Sequence, residues 1–195
     1  MIRATSGTTP VLFLLAVLLL VSGCTTTHRL PPLTDGKILS RAEVTQKLSQ
    51  LLPGKSATLS AQNYLEVRAV ALPALINAYR YELSSLGVGV SDVTGNSGWD
   101  VRFNCTDFTD LFLGFSGSQV MRQLWTSSTE GQKPAIFAVW YVRDKSPVPT
   151  GPGSGRRHSI VLVLTDKGPV FLDPQEQDPV MLSTQEKASA YHVRS

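Results

Sequence analysis

The stretch that decides the fold lies between Asn104 and Leu113 and has the sequence NCTDFTDLFL. It predicts the start of a helix, because Asn104 is a favourable N-cap and the Asp107 carboxylate suits the positive end of a helix dipole. Apolar residues then recur at helical spacing, namely Phe108, Leu111, Phe112 and Phe115. One face of this helix is therefore expected to pack on a core.

Cys105 lies in the first turn of that predicted helix. Backbone N–H groups in a first turn lack intrahelical partners, and they stabilise a thiolate relative to a thiol. This is the local chemistry that a cysteine nucleophile needs. The stretch alone also allows a second interpretation, in which Cys105 is a small buried apolar residue, as free cysteines often are.

The start of the chain predicts an export signal. Arg3 gives a short positive region, and residues 11–21 form an apolar run that is shorter than the ~20 residues of an ordinary membrane-spanning helix. The run ends in VSGC at positions 21–24, which resembles the bacterial lipobox. A plain secretory peptide or a tail-less anchor helix is the alternative.

The lipobox resemblance implies that residues 1–23 are removed and that Cys24 carries lipid. The protein is then expected to be lipid-anchored in the bacterial cell envelope. Thr25 after the cysteine resembles outer-membrane sorting, so the expected place in a Gram-negative cell is the periplasmic face of the outer membrane.

Composition predicts one globular domain behind this signal. The chain has 195 residues, of which 42% are hydrophobic and 17% charged, and a polar tether is predicted for residues 24–39 before a single domain at 40–195. The formal net charge is +3, and removal of Arg3 leaves +2. This charge is too small and too scattered to predict a nucleic-acid partner.

Cysteine usage favours a functional role for Cys105. The sequence holds two cysteines, and a lipid on Cys24 leaves Cys105 without an intramolecular disulfide partner. A lone thiol is a liability in an oxidising compartment unless it is buried or used.

The order of the predicted elements gives an α+β fold class. Ser40 and Glu43 form a capping box that starts a first helix, and a second helix is predicted from about Ser60 to Leu86. The cysteine helix follows and is expected to end near 114–117, with a further turn or two after it. Extended segments come next at 136–142, 157–164 and 170–173, and the last residues are expected to be loose. The predicted core is a cysteine-bearing helix packed on a small antiparallel sheet.

A hairpin brings together two further candidate residues. His158 opens one predicted strand and Asp173 closes the next, about equally far from a turn at 166–168. In an antiparallel pair these positions lie close together, and a carboxylate beside an imidazole fixes its tautomer. The chain thus offers nucleophile, base and orienting carboxylate in the order Cys105, His158, Asp173. Separately, His158 could be an edge-strand surface residue and Asp173 a simple turn residue.

This order of residues and elements resembles the transglutaminase-like and papain-like cysteine peptidase superfamily. The resemblance rests on Asn104 to Phe108, His158 to Val163, and Leu172 to Pro174. It implies a papain- or transglutaminase-like core and a second oxyanion donor. The candidates for that donor are Trp99, Asn96 and Gln62.

Two functions follow from the sequence. The first is a thiol hydrolase or acyltransferase on peptide or amide bonds, with catalytic Cys105, His158 and Asp173, no cofactor, and a peptide, protein or peptidoglycan substrate in the envelope. The second is a non-catalytic lipoprotein that serves as a binding or assembly factor. A metal site built from the same three residues lacks the support of CxxC or HxxxH spacing.

Overall fold

The computed structural model describes residues 30–53, 55, 57–88, 105–124, 132–144 and 157–195. The predicted signal at 1–23, the lipidation site Cys24 and the predicted N-cap Asn104 lie outside the described residues. The predicted tether is packed from Leu30 onward, because Leu33 is fully buried and its carbonyl accepts a hydrogen bond from Arg68 N.

The helices are α1 Arg41–Leu51, α2 Leu72–Ser85, α3 Cys105–Leu124 and α4 Thr184–Ala188, with a 3-10 turn at Ala69–Ala71. The strands are β1 Ile38–Ser40, β2 Ala57–Thr58, β3 Asn63–Leu65, β4 Gln132–Pro134, β5 Ile136–Val142, β6 Arg157–Thr165, β7 Gly168–Asp173, β8 Asp178–Val180 and β9 His192–Arg194. Among the described residues, no helix combines the length and apolar character needed to cross a bilayer.

Six of these strands form one mixed sheet in the order β2-β9-β5-β6-β7-β8. All neighbours are antiparallel except β2 and β9, which are parallel. The predicted extended segments and the hairpin between β6 and β7 are present. Gly168 follows the turn at a φ of 114°, a conformation that side chains larger than glycine rarely adopt.

Alternation along β6 divides the core into two layers. Ile160 and Leu162 face one side of the sheet with α1, whereas Val161 and Val163 face the other side with α2 and α3. All four side chains are fully buried. The long helix α3 packs on β6 and β5, so its first residue lies at the end of the sheet.

The first predicted helix is confirmed as α1. Ser40 accepts a hydrogen bond from Glu43 N, and the Glu43 carboxylate accepts one from Ser40 N at 2.7 Å, which completes the capping box. The buried Val44 and Leu48 form its inner face.

The predicted helix from Ser60 to Leu86 is wrong over its first half. Asn63–Leu65 forms a strand that pairs with β1 on one side and β4 on the other, in a second sheet of three strands. Pro73 lies in the first turn of α2, where its missing N–H costs no hydrogen bond, so it starts the helix instead of kinking it.

The chain end was also predicted wrongly. The residues expected to be loose form β9, which pairs with β5 on one side and β2 on the other. Val193 in this strand is 1% exposed.

The predicted fold class, an α+β domain of N-terminal helices followed by a papain- or transglutaminase-like helix-on-sheet core, is therefore wrong. The chain contains more sheet than was predicted. It has a sheet of six strands where a small antiparallel sheet was expected, and it also has a second sheet of three strands. Short strands such as β1, β2 and β9 have only two or three residues, too few to show a period of two in the sequence.

Candidate functional site

Cys105 is the first residue of α3 and is partly buried at the end of the sheet. Phe108 and Phe112 on the same helix are fully buried and fix the helix against the core. The Thr109 hydroxyl donates to the Cys105 carbonyl at 2.8 Å and ties the first turn together. The thiol is therefore at the positive end of a long, well-anchored helix.

His158 and Asp173 form a close buried pair. His158 Nε2 lies 2.6 Å from Asp173 Oδ2, and the side chains are 7% and 1% exposed. With a proton on Nε2, the ring donates to this carboxylate. Nδ1 is then the ring nitrogen left to interact with the Cys105 thiol, an interaction that acts to raise the pKa of His158.

The strand register explains this contact. Val161 pairs with Leu172, so Asp173 lies opposite Ile160 and His158 is its diagonal neighbour on the same face. The sequence predicted that the two residues lie close to a cross-strand pair, and in the structure they are diagonal neighbours, within reach of an imidazole. The three predicted residues are thus brought together at one end of the sheet.

The Asp173 carboxylate is held by the turn that it begins. Its Oδ1 accepts from Gln175 N at 3.0 Å and from Glu176 N at 3.5 Å. Gln177 N donates to the Asp173 carbonyl, and Gln177 adopts a φ of 60° to close the turn into β8. Asp173 is therefore both a turn residue and the partner of His158, so the two interpretations of it are not exclusive.

The surroundings of the thiol favour the thiolate. Burial acts to raise the pKa of Cys105, but the hydrogen bond and positive charge of His158, together with the Ser159 backbone, outweigh it, and the pKa is lowered. This is the direction expected of a nucleophilic cysteine.

The electrostatics of the other two residues are consistent with an ion pair. Burial acts to lower the pKa of His158, but hydrogen bonds to Asp173 and Cys105 outweigh it, and the pKa is raised. Burial likewise acts to raise the pKa of Asp173, and the His158 hydrogen bond and charge, the Gln175 N–H and the Arg143 charge lower it overall. The site therefore favours a protonated imidazole between two anions.

Arg143 is a member of this cluster that sequence reasoning missed. Its Nη2 lies 3.0 Å from Asp173 Oδ2 and 2.6 Å from His158 Nε2. It comes directly after β5, whose last residue Val142 pairs with Arg157 at the start of β6. The register of β5 and β6 places Arg143 beside the start of β6. That register could not be predicted from the sequence, because a long proline- and glycine-rich segment connects the two strands.

Further polar contacts hold α3 on the sheet. Ser159 and Thr109 are fully buried, and the Ser159 hydroxyl donates to Thr109 Oγ1 at 2.6 Å. Trp140 Nε1 donates to Thr106 Oγ1 at 3.2 Å, one residue after the cysteine. The Tyr141 ring meets the His158 ring edge-on at a centroid distance of 5.8 Å.

The predicted candidates for a second oxyanion donor find no support here. Trp99 and Asn96 lie outside the described residues. Gln62 is exposed beside the start of α1, where its carbonyl accepts from Arg41 N. In the part of the chain that the structure describes, no group of three His, Cys, Asp or Glu side chains is arranged to hold a metal ion.

Comparison with known proteins identifies similar structures but no family. No protein-family model matches the chain, and no curated protein matches it. The structure of a PSL1a–E64 complex has a TM-score of 0.53 at 16% identity and covers 81% of this chain and 50% of that one. Polyporus squamosus lectin, bound to the epitope Neu5Acα2-6Galβ1-4GlcNAc, has a TM-score of 0.50 at 13% identity and covers 81% and 49%.

At such identities these comparisons show a shared, sheet-rich fold and nothing more. The chain spans about half the length of each structure that it matches. The predicted membership of the transglutaminase-like and papain-like superfamily is therefore wrong, because neither structure supports a transglutaminase-like peptidase domain. Short motifs around a cysteine, a histidine and an aspartate recur on unrelated folds, so they do not identify a family.

Proposed function

We propose that the protein is a thiol hydrolase or acyltransferase that acts on peptide or amide bonds in the bacterial cell envelope. One observation carries the proposal: His158 Nε2 lies 2.6 Å from Asp173 Oδ2, and His158 in turn acts on the Cys105 thiol and helps to lower its pKa. The fold does not contribute to the argument, since fold alone does not fix function.

The chemistry of such a cluster is acyl transfer. The Cys105 thiolate attacks the carbonyl carbon, and the imidazolium of His158 gives its proton to the leaving amine as the C–N bond breaks. The resulting thioester is then attacked by water or by an acceptor amine, which gives a proton to neutral His158 as the C–S bond breaks. Asp173 keeps the imidazole in the Nε2–H tautomer throughout.

The place of this reaction is proposed from the lipobox resemblance. Lipid on Cys24 would hold the domain at the membrane surface, close to peptide, protein or peptidoglycan substrates. Mass spectrometry of the N-terminal peptide is expected to show a lipid mass on Cys24 and no preceding residue. A mature N-terminus elsewhere would exclude this anchoring.

Covalent trapping with E64, the compound bound in the PSL1a structure, tests the proposed function. The epoxide of E64 opens when a thiolate attacks it, so one adduct on Cys105 is expected in the folded chain at neutral pH. Cys105→Ser should take up no label. His158→Ala keeps the thiol but removes the proton carrier, and it should label many-fold more slowly.

The result against the proposal is equally specific. If folded Cys105 reacts no faster than the thiol of glutathione at the same pH, while unfolded chain reacts as glutathione does, the cluster does not activate the thiol.

A second candidate is a non-catalytic binding module for carbohydrate. It is favoured by the similarity to Polyporus squamosus lectin, which is bound to Neu5Acα2-6Galβ1-4GlcNAc, although this chain spans only 49% of that protein. Calorimetric titration with this trisaccharide tests it. Saturable binding that persists in Cys105→Ser, combined with an unreactive thiol, would favour the binding module.

A further inference from the structure

Arg143 completes the cluster on the side of Asp173, and the proposed mechanism gives it no role. Its side chain is 19% exposed, and its Nη2 contacts both Asp173 Oδ2 and His158 Nε2. We propose that Arg143 is a positioning residue of this site, which anchors the Asp173 carboxylate through Oδ2 and competes with His158 for that oxygen. The contacts of Arg143 do not depend on the proposed function, but the description of the site as catalytic rests on it.

The ionisation state of the pair decides which atoms interact. The pKa of His158 is raised and the pKa of Asp173 is lowered, which favours an imidazolium beside a carboxylate, and in an imidazolium Nε2 carries a proton and has no lone pair for the Arg143 N–H. Arg143 Nη2, 2.6 Å from Nε2, and Nε2 itself are then both donors that need the same acceptor. That acceptor is Asp173 Oδ2, which lies 3.0 Å from Nη2.

The other oxygen of Asp173 gives Arg143 no alternative. Oδ1 already accepts from the backbone N–H groups of Gln175 and Glu176. Within the described residues, the nearest other carboxylate to Arg143 is that of Glu176 at 3.9 Å, and it is 60% exposed. The weak contact with the exposed Glu176 does not replace the buried contact with Asp173. Arg143 and His158 therefore compete for Asp173 Oδ2.

The competition has two opposite electrostatic effects. The guanidinium stabilises the ionised carboxylate of Asp173, which supports the pair with His158. The same positive charge opposes the imidazolium form of His158 and acts to lower its pKa. Acyl transfer needs the imidazolium to protonate the leaving amine. Because Arg143 acts to lower the pKa of His158, it lowers the highest pH at which the thiolate–imidazolium pair persists.

Other ionisable groups also face this cluster, from each element packed against it. The effect of an Arg143 substitution on the titration of His158 is measured in their presence. They are Cys105 on α3, Tyr79 on α2, Tyr141 on β5, Glu176 in the turn before β8 and Glu186 on α4. The substitutions at Arg143 leave all of them in place.

A titration of the His158 imidazole by NMR tests the inference without any substrate. The full chain is labelled with carbon-13 histidine and held in detergent micelles. It has three histidines, and the His158 signal is the one lost in His158→Ala. Arg143→Gln and Arg143→Met are two neutral variants, and Arg143→Lys retains the charge.

The matched control is Arg157→Gln. It removes a positive charge next to His158 in sequence, but the Arg157 guanidinium lies over the Tyr191 ring, 5.9 Å from its centroid, and not in the cluster. Arg157 is exposed, so the control is expected to fold normally.

The titration midpoint of His158 should move to higher pH in Arg143→Gln and Arg143→Met, and it should stay near the wild-type value in Arg143→Lys and Arg157→Gln. An unchanged or lower midpoint in the neutral variants, or an equal rise in Arg157→Gln, would overturn the inference. Failure of the proposed function has a different signature, namely a Cys105 thiol that E64 does not trap although the Arg143 variants shift the midpoint.

Discussion

Asp173 Oδ2 lies 2.6 Å from His158 Nε2 in a place where neither side chain is more than 7% exposed. A buried carboxylate is costly unless hydrogen bonds and an opposite charge compensate for it, and here two backbone N–H groups, the imidazole and Arg143 do so. The pair therefore has measurable consequences for both reactivity and stability.

The first prediction concerns the pH at which Cys105 reacts. Because the hydrogen bond and charge of His158 lower the pKa of the thiol, iodoacetamide should alkylate Cys105 well below the pH at which ordinary thiols, with a pKa of ~8.5, react. His158→Ala should move the rate profile to higher pH, and Asp173→Asn should move it less. Alkylation rates measured by intact mass at a series of pH values from acid to alkaline check this. Identical profiles for wild type and His158→Ala would contradict it.

The second prediction concerns acid stability. The pKa of Asp173 is lowered in the folded state, so its contribution to stability is present above the unfolded carboxyl pKa of ~3.9 and is lost as the pH falls through the folded value. Asp173→Asn should therefore lower the free energy of unfolding by about 1–3 kcal/mol at neutral pH. The difference in the free energy of unfolding between Asp173→Asn and the wild type should become smaller in acid.

Urea unfolding at a series of pH values measures that gap. Asp178→Asn is a suitable control, because Asp178 lies opposite Asp173 in the β7–β8 pair but is 69% exposed and pairs with Arg80, outside the cluster. A gap for Asp173→Asn that stays constant down to the lowest pH would show that its charge makes no contribution.

The third prediction separates support of the helix from activation of the thiol. The Ser159 hydroxyl donates to Thr109 in a fully buried contact, while the Ser159 backbone acts on the thiol. Ser159→Ala removes the hydroxyl contacts to Thr109 and to the Cys105 carbonyl but keeps the backbone that acts on the thiol. It should therefore lower the free energy of unfolding by about 1–2 kcal/mol and leave the alkylation profile of Cys105 unchanged. Ser118→Ala on the exposed face of α3 should change neither.

Local signals in the sequence were enough to predict the elements of the candidate site. The start of α3 at Cys105 follows from the sequence of its first turn, and the β6–β7 hairpin follows from two runs of β-branched and apolar residues around a glycine turn. The diagonal placement of His158 and Asp173 could not be predicted, because a shift of one residue in register leaves the hydrophobic pattern of a fully buried strand unchanged.

The sheets themselves were harder to predict. Asn63–Leu65 has three residues and becomes a strand only because β1 and β4, distant in sequence, pair with it. Arg143 likewise joins the cluster through strand pairing and not through a motif. Contacts of this kind depend on tertiary context, which overrides local propensity in short segments.

The last prediction concerns β9, the strand that sequence patterning missed. Val193 is 1% exposed and lies in the core layer with α1, where it pairs with Val139 of β5 and Ala57 of β2. Because the Val193 side chain is buried in this layer, Val193→Ala should leave a cavity and lower the free energy of unfolding by about 1–3 kcal/mol. His192→Ala, at an exposed position of the same strand, should cost much less. Chemical unfolding of the two variants measures the difference, and equal effects would show that β9 does not contribute to the core. Since β5 leads directly to Arg143, loosening of β9 should also speed amide hydrogen exchange along β5, and His192→Ala should leave that exchange slow.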